Sequence, residues 1–183
     1  MQGMRSLANI DESEFIALAK KEQCRACLSE RSDAVSPHYR KYMIHANEFM
    51  KENVYPTWRT SKDKTKYIGT YETPPTEAFP ITYQELTSCP DLFSEIQFDA
   101  GKDYLGTLNI IAFYCMSCGV RVIKDGNHRL LQCAVLRSAP EITVFEVASN
   151  DWRRCKVDMK NFCKCISNNH LNQDAPKSGA PVS

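Results

Sequence analysis

VRVIKDGNHRLLQCAV, residues 120–135, changes its hydrophobic period part-way along. Val120 to Lys124 is a short β-rich run, Asp125-Gly126 interrupts it, and Leu130, Leu131, Ala134 and Val135 then fall on one face of a helix. Pro140 closes that helix, and Ile142 to Val147 is a second strand with apolar residues on both faces. Strand, tight turn, helix, strand predicts a βαβ-like piece of a small mixed sheet, and so an α/β (α+β) class.

Outward from this unit, Leu105, Leu108, Ile111, Ala112 and Cys115 predict a helix from about Asp103 that stops at Gly119, the residue best suited to a left-handed conformation. Thr82 with Glu85 three residues on predicts a short helix ended by Pro90. Pro56 to Pro80, with Pro74, Pro75 and a polar run from Thr60 to Lys66, predicts a long loop or irregular arm. Its charges Arg59, Lys62, Lys64 and Lys66 fit a solvated surface.

Nearer the N-terminus, Asp11 and Glu14 have capping-box spacing, and Phe15, Leu18 and Ala19 share a face of a helix that carries Cys24 and Cys27. Ser36, Pro37 and the stripe Tyr39, Tyr42, Met43, Ala46, Phe49 and Met50 predict a second helix. Asp151 to Ile166 is predicted helical, with Trp152, Met159, Phe162 and Ile166 inward and Arg153, Arg154, Lys156, Lys160 and Lys164 outward. The chain thus divides into one domain over 1–166, with a helical portion at 11–55, an arm at 56–80 and the strand–turn–helix–strand part in 81–166, and a flexible tail over 167–183.

Composition agrees with one compact domain: 183 residues, 43% hydrophobic and 25% charged, enough to bury a full core without disulfides. Twenty-three Lys+Arg against twenty-two Asp+Glu leave a net charge of +1, so no global field draws the protein to nucleic acid. The longest apolar run, Ile110 to Met116, is too short to cross a bilayer. Asp11 and Glu12 arrive before any apolar leader can develop, which predicts a cytoplasmic protein without a membrane partner. The nine cysteines sit in helical pattern without the Gly-rich loops of a disulfide scaffold and are expected to be reduced.

The chemistry concentrates at Asp125-Gly126-Asn127-His128-Arg129, where a strand runs straight into the first turn of a helix. A helix start presents free N–H groups and the positive end of the dipole, a ready anion site. Gly126 would let the backbone approach a ligand, while His128 and Arg129 add donors suited to phosphate or carboxylate. Asp125 would orient His128, bind a metal ion or accept a hydroxyl proton. The plain alternative is that Asp125 or Asn127 caps the helix and Arg129 pairs with a surface acid.

Asp125 to Arg129 at the strand-to-helix turn, with the following apolar helix and the EITVFEV strand at 141–147, resembles the ParB/sulfiredoxin-like superfamily, in its D-G-x-H-R form found in ParB-like kinases of free serine and in DGQHR-type proteins. The resemblance implies that Gly126, Asn127, His128 and Arg129 contact a phosphate, and that Asp125, His128 and Arg129 are the catalytic candidates. It further implies ATP or another nucleotide with Mg²⁺, and phosphoryl transfer or nucleotide hydrolysis. Asn127 stands where sulfiredoxin has its reactive cysteine, which speaks against sulfinic-acid reduction. Only one helix and a tail follow the unit, which speaks against a ParB-type DNA-binding domain. A kinase would need a further carboxylate, with Glu72, Glu77, Asp99 and Asp103 as candidates.

Cys24-x-x-Cys27 and Cys115-x-x-Cys118 would formally complete a tetrahedral zinc site, but their distance along the chain and helical pattern favour packing, and no metal site is expected. Neither pair is predicted to open a helix after a strand, as thioredoxin-like chemistry wants. His38 and His45 lack a third ligand, and Cys133 lies too far around the helix from His128 to form a nucleophile pair. Two other functions compete: a non-catalytic immunity- or antitoxin-like protein that blocks a partner protein, and a ParB-like nuclease using the basic face from Arg153 to Lys164.

Overall fold

The computed structural model describes residues 7–70, 79–89, 92, 109–135 and 140–152. It is of mixed α+β class. A six-stranded sheet runs β1 (Ala8–Asn9), β3 (His38–His45), β10 (Glu141–Ser149), β8 (Asn109–Cys115), β9 (Val120–Asp125) and β4 (Val54–Tyr55) from edge to edge. β10 is parallel to β8 and β4 to β9, while β1 with β3, β3 with β10 and β8 with β9 are antiparallel.

Alternation along the central strands feeds two cores. On one face Tyr42, Ile44, Ile110, Ala112, Ile123 and Val144 pack with α3 (Ala46–Met50), α4 (Tyr83–Thr87) and α5 (Asn127–Val135). On the other, Ile111, Phe113, Val122, Phe145 and Val147 pack with α1 (Glu12–Lys21) and α2 (Arg25–Glu30). β2 (Ala34–Val35) pairs with β11 (Asp151–Trp152), and Trp152 stacks on Phe113.

β9, α5 and β10 occupy the predicted strand–helix–strand segment. Their relation is not a parallel crossover, because β8 lies between β9 and β10 and the two run in opposite directions. α1 begins after Asp11 and buries Phe15 and Ala19. α4 is capped by Thr82, whose hydroxyl accepts the Glu85 N–H, and it ends before Pro90.

Several expectations change. The helix predicted from Ser36 is β3 followed by the short α3: Tyr42 and Ile44 are buried while Lys41, Met43 and His45 are exposed, a period of two. Tyr39, Tyr42, Met43 and Ala46 matched helical spacing only because strand and helix patterns overlap over so few residues. This places a central strand in the portion expected to be helical, with His38 and His45 at its two ends.

From Asn109 the helix predicted upstream of Gly119 is β8, buried on both faces between two partners. An unbroken apolar run fits any period, and sheet pairing decides it. Gly119 does take the left-handed conformation, at φ +69°, but in the turn of the β8–β9 hairpin.

The arm is a three-stranded sheet of β6 (Tyr67–Thr70), β5 (Trp58–Thr60) and β7 (Phe79–Pro80). Arg59 is buried in it rather than solvated, and Lys64 pairs with Glu85 of α4. Asp151 and Trp152 are strand where a helix was expected; the rest of that predicted helix and the tail lie outside the described residues.

Cys24 and Cys27 form a disulfide, against the expectation of reduced thiols, because the two residues sit at a corner between α1 and α2 rather than along one helix. Among the described residues Cys89, Cys115, Cys118 and Cys133 are outside any disulfide. No helix among the described residues is long and apolar enough to cross a membrane.

Candidate functional site

β9 ends at Asp125 and α5 begins at Asn127, so Gly126 alone makes the turn. Its φ of +96° is open to glycine and strained for other residues. A Cβ here would stand 2.5 Å from Ile110 Cδ1 and 3.3 Å from the Asn109 carbonyl oxygen. The missing side chain therefore serves close packing of the turn on the start of β8.

Asn127 is likewise tied inward. Its Oδ1 accepts the Tyr83 hydroxyl at 2.6 Å, and its Nδ2 donates to Thr57 Oγ1 at 3.3 Å and to the Ile123 carbonyl at 3.4 Å. Burial pushes the Tyr83 hydroxyl well above its ordinary pKa, so it stays protonated and able to donate. Asn127 thus joins α5 to α4 and to the entry of the arm. The Leu130 N–H donates to the Gly126 carbonyl at 3.1 Å, closing the first turn of α5.

All five residues from Asp125 to Arg129 are half-buried, and they line a cavity of about 120 Å³. The His128 ring meets the edge of Trp58 with 5.4 Å between centroids. Arg129 Nη1 donates to the Asn109 carbonyl at 2.6 Å and reaches Asp125 Oδ2 at 3.5 Å, while its Nη2 pairs with Glu22 Oε2 at 3.0 Å. Burial raises the Asp125 carboxyl above its ordinary range, Arg129 opposes that, and Glu22 reinforces it. One guanidinium between two carboxylates leaves the turn without surplus positive charge.

A bulge explains how Asp125 comes to face Glu22. The β8–β9 register slips so that Ile111 pairs with Asp125 but Ala112 with Ile123, leaving Lys124 as the extra residue. Lys124 and Asp125, adjacent in sequence, can then both turn toward the α1–α2 corner. Lys124 Nζ pairs with Glu30 Oε2 at 2.6 Å, as Asp125 shares Arg129 with Glu22.

Glu22, Tyr83, Thr57 and Trp58 belong to the site and were not found from sequence. Each comes from a distant segment, and only tertiary packing brings them to the turn. The auxiliary carboxylates Glu72, Glu77, Asp99 and Asp103 lie outside the described residues. Among the described residues no three His, Cys, Asp or Glu side chains gather as a metal site. A larger groove of about 530 Å³, lined by Lys51, Glu52, Lys64, Glu85 and Cys89 among others, contains none of the predicted site residues.

No protein-family model, curated protein or solved structure matches the chain.

Proposed function

We propose that the chain binds the phosphate of a nucleotide or another phosphorylated small molecule at the Asp125–Arg129 turn, exchanging the Glu22 carboxylate for the ligand on Arg129. One observation carries the reading: β9 delivers His128 and Arg129, beside an open cavity, to the first turn of a nine-residue helix whose leading N–H groups have no acceptor within the helix. Glu22 on Arg129 fits this reading as an internal stand-in, since a carboxylate presents two anionic oxygens to the guanidinium fork as a phosphate does.

In an ATP-dependent phosphoryl transfer or nucleotide hydrolysis, Arg129 and the turn amides would hold phosphate oxygens and His128 would stabilise developing charge. Asp125 would accept a proton from the attacking hydroxyl or water once ionised. Mg²⁺ would arrive with the nucleotide and neutralise its phosphates, Asp125 being the carboxylate of the turn that would meet it. The likeness to the ParB/sulfiredoxin-like superfamily and a cytoplasmic setting belong to the same proposal and rest on the sequence.

A second reading, a non-catalytic protein that blocks a partner, is favoured by the inward engagement of Gly126 and Asn127, which makes the turn a structural joint. Thermal-shift titration with ATP and ADP, with and without Mg²⁺, separates the two. A ligand held only by the native state at a hundredfold excess over Kd adds about 2.7 kcal/mol, several degrees of Tm. The phosphate reading expects that rise in the wild type and its loss in Arg129→Ala. No rise with any nucleotide, in wild type or Glu22→Gln, would overturn it and direct the search to protein partners.

A further inference from the structure

We infer that the Cys24–Cys27 disulfide is a redox latch which holds Glu22 on Arg129 and so keeps the phosphate site closed. This rests on the phosphate-binding proposal for the meaning of opening, but the latch itself is a property of the corner between α1 and α2.

Glu22 caps the C-terminal end of α1, its N–H donating to the Leu18 carbonyl at 2.9 Å. Gln23 follows with φ +56°, a left-handed conformation that a non-glycine residue adopts at a cost. Cys24 then opens α2: its N–H donates to the Ala19 carbonyl at 2.9 Å, and its Sγ receives the Cys27 N–H at 3.4 Å. Glu30 closes α2 and pairs with Lys124. The corner therefore sends one carboxylate from before the disulfide to Arg129 and one from after it to Lys124, two cations that bracket the Asp125-Gly126 turn. Cys24 Sγ itself lies 3.8 Å from the Lys124 carbonyl oxygen. The Glu22 side chain is only 8% exposed, so a ligand that takes Arg129 must first move this corner.

The cross-link limits the conformations open to residues 24–27 and, through the left-handed Gln23, to Glu22. Its release lets the corner leave the turn and gives Arg129 back to solvent. The chemistry is thiol–disulfide exchange with a dithiol reductant. A thiolate of the reductant attacks Cys24 Sγ, which keeps slight solvent exposure where Cys27 has none, and Cys27 leaves as thiolate. The second thiolate of the reductant then displaces Cys24. The reductant loses two electrons and closes as a cyclic disulfide, while Cys24 and Cys27 take those electrons and two protons to become thiols.

Two measurements test the latch. The first needs no nucleotide: the rate at which phenylglyoxal modifies Arg129, read by mass spectrometry of its peptide, in the oxidised protein and after dithiothreitol. Reduction is expected to speed the reaction severalfold. Cys24→Ser/Cys27→Ser is expected to match the reduced wild type in both conditions, which separates this pair from the other cysteines. Glu22→Gln is expected to react fast in either condition. Equal rates for oxidised and reduced wild type, or a Glu22→Gln variant as slow as the oxidised wild type, would overturn the latch.

The second measurement is ATP binding by calorimetry on the same four samples. Reduced wild type and Glu22→Gln are expected to bind roughly tenfold tighter than oxidised wild type, the gain when a competent fraction of about one in ten becomes nearly all. Absence of ATP binding in every sample, with the phenylglyoxal rates as expected, would overturn the phosphate reading and leave the latch standing.

Discussion

Arg121 and Arg129 belong to the same strand–turn–helix unit, yet they are held in opposite ways. Arg121, on β9, donates from Nε to Glu146 Oε1 at 2.7 Å and from Nη1 to Glu52 Oε2 at 2.9 Å, with its guanidinium 3.8 Å above the Tyr114 ring. Glu146 is fully buried on β10 and also accepts the Tyr42 hydroxyl at 3.1 Å. Burial, the largest single influence, would lower the Arg121 pKa, but Glu146 together with Tyr42 and Tyr114 raises it above its ordinary value. Arg129 stays 21% exposed and takes its carboxylates from a turn and from a corner cross-linked next to Glu22.

A charge pair sealed under a sheet cannot change partners without a large penalty, because each ion would be left in a medium that solvates it poorly. Arg129, at the rim of a cavity, keeps part of its surface in water, so once the corner that carries Glu22 moves it changes partners at a smaller penalty. The same residue types therefore make a rivet at one end of β9 and a replaceable contact at the other.

The largest effect expected from this contrast is in Glu146→Ala, which strands Arg121 and the Tyr42 hydroxyl. It should lower unfolding free energy by about 3–5 kcal/mol, against about 1 kcal/mol for Arg129→Ala, both read from urea denaturation. Equal losses in the two variants would erase the distinction between rivet and replaceable contact.

Next comes Gly126→Ala. It meets Ile110 Cδ1 and a left-handed φ together and should cost about 1–3 kcal/mol. Adding Ile110→Val removes the clashing methyl, so the double variant should recover part of the loss and keep the share due to backbone strain. Strict additivity of the two substitutions would mean that the turn does not rest on β8.

The smallest effect is a pH dependence at Asp125. Its folded-state pKa is raised above the ordinary 3.8, so the folded state keeps a proton that the unfolded chain releases. That contribution is complete below about pH 3.8 and is lost as pH rises through the raised value. Asp125→Asn cannot lose it, so its Tm relative to wild type should climb between pH 4 and pH 7. A flat difference would place Asp125 in a more watery setting than the cavity geometry gives it.

What could be read from sequence divides along the same line. β9, Gly126, α5 and β10 were legible because local chemistry governs them: a β-branched run, one residue able to turn at positive φ, and an apolar helical face. The Thr82 cap was legible for the same reason, whereas Asp11 marks the start of α1 without the side-chain cap bond its spacing predicted. β3 and β8 were not. His38–His45 carries aromatic and charged residues that satisfy two periods at once, and β8 is apolar throughout after Asn109, so only their pairing with β10 settles what they are.

At the site, the five turn residues were found but their engagements were not. Nothing near Glu22 in the chain marks it as the partner of Arg129, and nothing near Asn127 marks Tyr83 or Thr57. The disulfide was hidden because C-x-x-C spacing also suits a helix face, and a kink at Gln23 with φ +56° has no composition signal of its own.

The extra residue in β9 makes the charge pattern at the turn depend on how many residues the strand holds rather than on which ones. Removing the single position Lys124 would restore an unbroken ladder in which Ile123 still meets Ala112 and Asp125 still meets Ile111, so the side on which Asp125 lies would not change. What the extra residue adds is a second charge on the side that already holds Asp125, so one stretch of β9 grips both ends of the α1–α2 corner where a regular strand could grip only one.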